Sequence, residues 1–149
     1  MARIEGSVVI NRPVEEVFAF VTNPENERLW RSILLEWEQT SDGPMGVGTT
    51  IREVEQFLGR RIEETYEVTE YEPNRKFALK SISGPTPNKV SQTLESVQGG
   101  TKHTLLIEAE LGGFFKLAEP IVARMIKKQV EAQLEILKGL LEAGAGATA

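Results

Sequence analysis

The sequence contains no cysteine and only one histidine, His103. Without cysteine the chain cannot form disulfides, use a thiolate nucleophile or bind zinc or iron–sulfur clusters through sulfur. One histidine leaves only carboxylates as further ligands, so we expect no metal site. We also expect no cofactor, because the glycines at 46 and 48 lack the strand–glycine–helix setting of a dinucleotide site and no phosphate-binding loop is present.

Long apolar runs are also missing. No segment approaches the roughly 20 apolar residues of a membrane span, and residues 1–7 do not have the pattern of a signal peptide. We therefore expect no membrane span and a cytoplasmic location. Positive charge is in the minority, with 17 Lys and Arg against 22 Asp and Glu. This balance argues against a nucleic-acid partner, because such binding depends on neutralising phosphates.

The length of 149 residues fits one domain. We expect a single domain over residues 1–142 and a disordered tail over residues 143–149, which are rich in glycine and alanine. A first strand is predicted at residues 2–10. Pro13 then begins a short helix, and Asn23-Pro24 ends it and opens a second short helix that runs to about Trp30.

Six more strands follow from alternating polar and apolar residues and intervening turn signals. They are predicted at about residues 33–38, 49–58, 60–71, 75–82, 89–97 and 101–111. Short turns between consecutive strands favour an antiparallel meander.

The last predicted element is a helix of about 25 residues with one apolar stripe, which must be buried against the sheet. The stripe comprises Leu117, Ile121, Met125, Ile126, Val130, Leu134, Leu137 and Leu141. The sequence thus predicts an α+β fold in which a curved, seven-stranded antiparallel sheet surrounds a long C-terminal helix, with two short helices after strand 1.

Several segments resemble one known superfamily. Residues 10–21, followed by Asn23-Pro24 and Trp30, are similar to the opening of START/Bet v 1-like (SRPBCC) proteins, especially the branch of polyketide cyclases/dehydrases and lipid-transport proteins. Residues 46–48, 66–73, 100–101 and 137–142 extend the similarity to about residues 2–142. The resemblance implies a helix-grip fold with a deep cavity between the concave face of the sheet and the long helix.

The apolar side chains on the faces judged to point inward are candidates for lining such a cavity. Alternatively, they form a filled core. The candidates are Trp37, Ile51, Phe57, Tyr66, Phe77, Leu79, Leu94, Leu105, Ile107, Phe114, Leu117, Ile121 and Met125.

Three residues are candidates for catalysis. Glu64 shares a strand face with Tyr66, and a carboxyl group on an apolar face would have a raised pKa and could transfer protons. Tyr66 could donate to a developing oxyanion, and His103 could act as a base. The alternative is that a one-residue shift places Glu64 and the similarly placed Glu53 in water, and that His103 is a partly exposed strand residue.

Three functions remain open. The first is binding or carriage of a small hydrophobic molecule (lipid, polyketide or isoprenoid) by a monomer or homodimer. The second is a cofactor-independent polyketide cyclase or dehydratase, which requires polar groups that converge inside the cavity. The third is an accessory protein that binds a macromolecule, which predicts a filled core and an exposed apolar patch.

Overall fold

The computed structural model describes residues 2–110 and 114–144, and the backbone alone at residues 114 and 115. Its seven strands are β1 (Ala2–Ile10), β2 (Leu34–Gln39), β3 (Thr50–Phe57), β4 (Arg60–Glu72), β5 (Lys76–Ser83), β6 (Asn88–Val97) and β7 (Gly100–Ala109). Its helices are α1 (Val14–Val21), α2 (Glu27–Trp30), α3 (Phe114–Leu117) and α4 (Glu119–Glu142), and a 3₁₀ turn at Pro24–Asn26 leads into α2.

All strands belong to one antiparallel sheet, in the order β1-β7-β6-β5-β4-β3-β2. From β2 onward each strand pairs with the next one in the chain, and β1 pairs with β7 at the far edge. The predicted fold class is confirmed: a curved seven-stranded sheet, a long C-terminal helix and two short helices after strand 1. Of the tail predicted from residue 143, residues 145–149 lie outside the described part.

Irregular pairing bends the sheet around α4. The register between β4 and β5 shifts at Thr65/Tyr66 and again at Val68/Glu70, and the register between β2 and β3 shifts at Leu34/Glu36. Such bulges bend a strand and increase its twist. The bends leave a concave face on which inward side chains of β3 and β4 point toward α4.

Helix α4 packs against this face most closely at β1. Gly6 of β1 makes the approach possible, because an added Cβ there would lie 3.0 Å from Val130 Cγ1 and 3.2 Å from Leu134 Cδ1. Val130, Leu134, Leu137 and Leu141 are all buried in this contact region and belong to the core. The second half of the predicted helical stripe is therefore correct.

Three residues of the first half of that stripe are wrong, whereas Ile126 packs against the core as predicted. Leu117 is 93% exposed, Ile121 63% and Met125 40%, whereas Val122 is buried. Ile121 lies nine residues before Val130, which is two and a half turns at 3.6 residues per turn, so it points away from the sheet. A step of four residues is slightly more than one helical turn, so residues spaced by four move gradually around the helix axis. The predicted stripe therefore included residues on the side that faces solvent.

Among the described residues, no helix is long and apolar enough to cross a membrane.

Candidate functional site

A cavity of about 160 Å³ lies between the concave face of the sheet and α4. Most of its wall is apolar. The apolar lining residues are Trp30, Ile33, Trp37, Phe57, Ile62, Phe77, Leu79, Val90, Leu105, Ile107, Ala109, Val122, Ile126 and Val130. Strands supply most of this wall, and α4 closes it from the other side.

The structure places seven of the predicted lining residues in this wall: Trp37, Phe57, Tyr66, Phe77, Leu79, Leu105 and Ile107. Ile51 and Leu94 are buried in the core but are not part of the wall. Leu117 of α3 and Ile121 and Met125 of α4 are exposed, so their predicted place in the wall was wrong. The side chain of Phe114 lies outside the described residues.

One region of the wall is polar and centres on Arg31. The helix α2 ends at Trp30, and Arg31 adopts an extended conformation (φ −99°, ψ 94°) as the first residue beyond it. Its Nη1 donates to Glu53 Oε1 at 2.5 Å and to Glu27 Oε2 at 3.3 Å, and its Nη2 donates to Glu55 Oε1 at 2.9 Å. One guanidinium therefore binds three carboxyl groups.

Glu64 and Tyr66 extend this group from the neighbouring strand. Glu64 lies directly opposite Glu53 in the pairing of β3 with β4, and Tyr66 lies opposite Ile51. Alternation along the two strands turns the side chains of Glu53, Glu64 and Tyr66 to the concave face, and all three line the cavity. The inward orientation of Glu64 and Tyr66 matches the expectation from sequence, and their catalytic role stays a prediction. We call Glu27, Arg31, Glu53, Glu55, Glu64 and Tyr66 the polar cluster.

The loop between β5 and β6 covers Glu64. The backbone N–H of Thr86 donates to Glu64 Oε1 at 2.7 Å, and the other side of the carboxyl group packs against Gly84. Gly84 has a φ of +135°, which only glycine adopts readily. Nearby, Asn88 Nδ2 donates to the Tyr66 hydroxyl at 3.0 Å. The loop thus fixes the position of both candidate catalytic side chains.

We expect Gly84→Ala to displace the Glu64 carboxyl group. The new Cβ would overlap that group and the φ would be strained, so the unfolding free energy should fall by more than about 1 kcal/mol. The pKa of Glu64, followed by carbon-detected NMR, should change as well. Gly43→Ala is the matched control, since Gly43 also has a positive φ (+91°) but has no atom within 4 Å of an added Cβ. If both variants lost the same unfolding free energy and the pKa of Glu64 did not change, the contact between Gly84 and the Glu64 carboxyl group would be contradicted.

Burial and mutual repulsion set the protonation of the four carboxyl groups. Burial opposes ionisation of Glu53, but the Arg31 guanidinium outweighs it and holds the Glu53 pKa below its usual range. Burial and the charge of Glu53 hold the pKa of Glu55 well above its usual range. The ion pair of Arg31 with Glu53 therefore persists at neutral pH, and Glu55 is protonated more readily than Glu53.

Glu27 and Glu64 titrate close to neutrality. Burial raises the Glu27 pKa to about 7 despite the attraction of Arg31. Burial, together with the charge of Glu53, also raises the Glu64 pKa to about 7, although the bond from the Thr86 N–H acts in the opposite direction. Carboxyl groups with a pKa near the working pH can both donate and accept protons in general acid–base chemistry.

Four polar atoms of lining residues are buried and have no hydrogen-bond partner among the described residues. They are Glu27 Oε1, Trp30 Nε1, Trp37 Nε1 and Glu64 Oε2. Buried polar groups are normally paired. All four atoms belong to residues that line the cavity.

His103 does not belong to the cavity wall. It is fully buried beside Trp30, and its Nε2 shares a hydrogen bond of 2.8 Å with Gln92 Oε1. Burial lowers its pKa to about 4, so it is neutral at physiological pH. Neither the expected cavity base nor a partly exposed strand residue describes this position. Its hydrogen-bond partner Gln92, by contrast, does line the cavity.

Sequence reasoning missed Arg31, Glu27 and Glu55. Arg31 follows a single-turn helix and precedes β2, so no periodic pattern assigned it a face. A signal was present nonetheless: Glu53 and Glu55 alternate along one face of β3 with apolar neighbours, and two buried carboxylates require a compensating cation. Among the described residues, no group of three or more acidic or histidine side chains has a geometry suited to a metal ion.

The sequence matches the family model described as polyketide cyclase / dehydrase and lipid transport over residues 1–142. The chain belongs to this family. The resemblance to START/Bet v 1-like proteins stated from the sequence is thereby confirmed. No curated protein has a sequence that matches this chain.

Solved structures show the same fold at low sequence identity. The protein TTHA0849 from Thermus thermophilus is 19% identical with a TM-score of 0.83, and the match covers 95% of this chain and 97% of that one. The Zhui aromatase/cyclase from Streptomyces sp. R1128 is 14% identical with a TM-score of 0.77, covering 94% and 93%. The Aha1 dimer from Colwellia psychrerythraea is 19% identical with a TM-score of 0.67, covering 97% and 98%. At these identities the likeness concerns the fold alone.

Proposed function

We propose that the protein binds a small, largely apolar molecule in the cavity, with the polar end of that molecule at the polar cluster. The observation that carries this proposal is one cavity of about 160 Å³ whose wall is mostly apolar and has the polar cluster in one region. Ligand sites typically combine an apolar wall with a few fixed polar groups that orient the ligand. An engineered apolar cavity of about 150 Å³ takes up benzene, so a single ring is a suitable first probe.

The family description names both lipid transport and cyclisation, and each requires such a cavity. Binding alone needs only the apolar wall and one or two polar contacts. The cavity also argues against the filled core that the macromolecular-partner hypothesis predicted, although Leu117, Ile121 and Met125 are each exposed.

Ala109→Leu should abolish retention of the ligand while leaving the fold intact. Ala109 lies in the wall, and the added methyl groups can enter the cavity rather than displace the core. Native mass spectrometry of the purified protein, followed by organic extraction, should detect a bound molecule in the unmodified protein and none in the variant. Glu108→Leu is the control, because neighbouring side chains on a strand point to opposite faces. If Ala109→Leu retains the same molecule, binding occurs elsewhere.

A second function, proton transfer in a cofactor-independent cyclisation or dehydration, is favoured by one specific observation. Ionisable groups of the polar cluster converge on the cavity, and two of its carboxyl groups have a pKa of about 7. Such groups can remove a proton beside a ketone and return it to a leaving hydroxyl group. Burial and the charges of Glu53 and Glu55 raise the pKa of Tyr66 well above its usual range, so its hydroxyl stays protonated and can donate to an enolate oxygen.

Tyr66→Phe separates this activity from binding alone. If the protein turns over a poly-ketone, removing the hydroxyl should lower kcat about 100-fold or more, as loss of one donor to an oxyanion does elsewhere. The apolar ring remains, so the melting temperature and the affinity for an apolar probe should change little. Unchanged kcat in a protein with confirmed turnover would remove Tyr66 from the chemistry.

A further inference from the structure

We infer that the preferred ligand carries a positively charged amine as its polar end. This inference rests on the proposed binding function and specifies the class of ligand. Its basis is the composition of the polar cluster, in which four carboxyl groups face the cavity around one guanidinium. Among the described residues of the wall, Arg31 is the only basic side chain.

Arg31 is already engaged on both terminal nitrogens. Nη1 binds Glu53 and Glu27, and Nη2 binds Glu55. An anionic head group, such as the carboxylate of a fatty acid, would have to compete with these bonds and would face the same carboxyl groups. Like charges brought together in a poorly solvated site repel strongly. The cavity therefore disfavours anionic ligands.

Two carboxyl oxygens in the wall need a donor. Glu27 Oε1 and Glu64 Oε2 are buried without a partner, in residues that are only 2% and 4% exposed. An ammonium group supplies three N–H donors and a positive charge, and hydrogen bonds between charged groups are about twice as strong as neutral ones. A hydroxyl group can donate once and brings no charge. The amine thus suits a wall with four carboxyl groups better than a neutral head group does.

The same groups make amine binding depend on pH. Glu27 and Glu64 have a pKa of about 7 and are partly protonated at neutral pH. A cation favours their ionised forms, so binding releases protons and the affinity should rise as the pH increases. Arg31 and Glu53 remain ionised and Tyr66 remains protonated, so they do not reverse this trend. The pKa of Glu55 is also raised, and a cation would favour its ionised form in the same direction.

The test compares benzylamine, benzyl alcohol and benzoate, which share one apolar ring and differ in the head group. Each is titrated into the full-length protein and followed by amide and methyl NMR shifts. We expect benzylamine to bind at least about tenfold more tightly than benzyl alcohol, the size of one charge-assisted hydrogen bond, and benzoate to bind most weakly. The advantage of the amine should grow as the pH rises through the Glu64 pKa of about 7.

Glu64→Gln should weaken benzylamine binding more than benzyl alcohol binding, because it removes a negative charge that only the amine uses. Glutamine keeps the oxygen that accepts from the Thr86 N–H, so the loop should stay in place. Glu27→Gln should act in the same way and provides a second variant. Glu63→Gln is the matched control, because Glu63 is the neighbouring residue on β4 and its side chain is 51% exposed.

The outcomes separate this inference from the proposed function. If none of the three probes shifts the signals of cavity residues, both the binding function and the inference fail. If benzyl alcohol or benzoate binds as tightly as benzylamine, binding stands and the amine inference fails. The inference also fails if the amine keeps its full advantage in folded Glu64→Gln and Glu27→Gln.

Discussion

Leu134→Asp should unfold the protein at neutral pH. Leu134 is 2% exposed, and α4 brings it against the backbone of β1 at Gly6. The change removes a large apolar side chain, which alone costs about 2–5 kcal/mol, and places a carboxylate in an apolar contact without a partner. The sum approaches the total stability of a typical domain, about 5–15 kcal/mol. Circular dichroism should show loss of the cooperative melting transition.

Ile121→Asp is the matched control for this prediction. The side chain of Ile121 lies on the same helix but is 63% exposed, so the substitution should shift the unfolding free energy by no more than about 0.5 kcal/mol. The pair tests the orientation of α4 directly. A stable Leu134→Asp variant, or an unfolded Ile121→Asp variant, would mean that the helix presents a different face to the sheet.

Arg31→Met should lower the unfolding free energy at pH 7 by about 3–5 kcal/mol, because it leaves buried carboxylates without their cation. Arg31 is the shared partner of Glu27, Glu53 and Glu55. Urea denaturation measures the loss. Arg28→Met is the control, since Arg28 is exposed on α2, the short helix that precedes Arg31, and its loss should cost about 0.5 kcal/mol or less.

The difference in unfolding free energy between Arg31→Met and the unmodified protein should become smaller in acid. In the unmodified protein the pKa of Glu53 is lowered, so its contribution to stability is present above the unfolded value of 4.5 and is lost as the pH falls through the folded value. Without Arg31, burial would raise the pKa of the same group, so the variant gains stability as Glu53 takes up a proton. The difference between the two proteins should therefore narrow steadily below neutral pH. A difference that stays constant would show that Arg31 stabilises the fold by packing rather than by charge.

The strands were predictable from sequence because polar and apolar residues alternate along them and turn-forming residues mark the connections between them. A residue such as Phe77 or Leu105 has only two possible faces, and its buried neighbours fix which one points inward. This is why seven of the nine strand residues predicted to line a cavity do lie in its wall. Ile51 and Leu94 also point inward but contribute to the core, because neither faces the cavity itself. Alternation determines the face of a residue and carries no information on where a cavity begins.

The helix and the polar cluster were harder to predict for different physical reasons. On α4, several apolar stripes satisfy the spacing of three and four residues, and only packing against β1 selects the one through Val122 and Val130. Arg31 belongs to a short connection without periodicity, and its partners on β3 lie 22 and 24 residues away. A sequence can indicate that a buried carboxylate requires a cation. Which side chain supplies that cation depends on the tertiary fold.

The central claim is that a small apolar molecule binds between the sheet and α4 rather than on the surface. Intermolecular nuclear Overhauser effects between bound benzylamine and assigned methyl groups test this most directly. We expect contacts from the ring to Leu79, Leu105 and Ile107, which line the cavity. Contacts to Leu117, Ile121 and Met125 instead would place the molecule on the exposed stripe of the helix and contradict the claim.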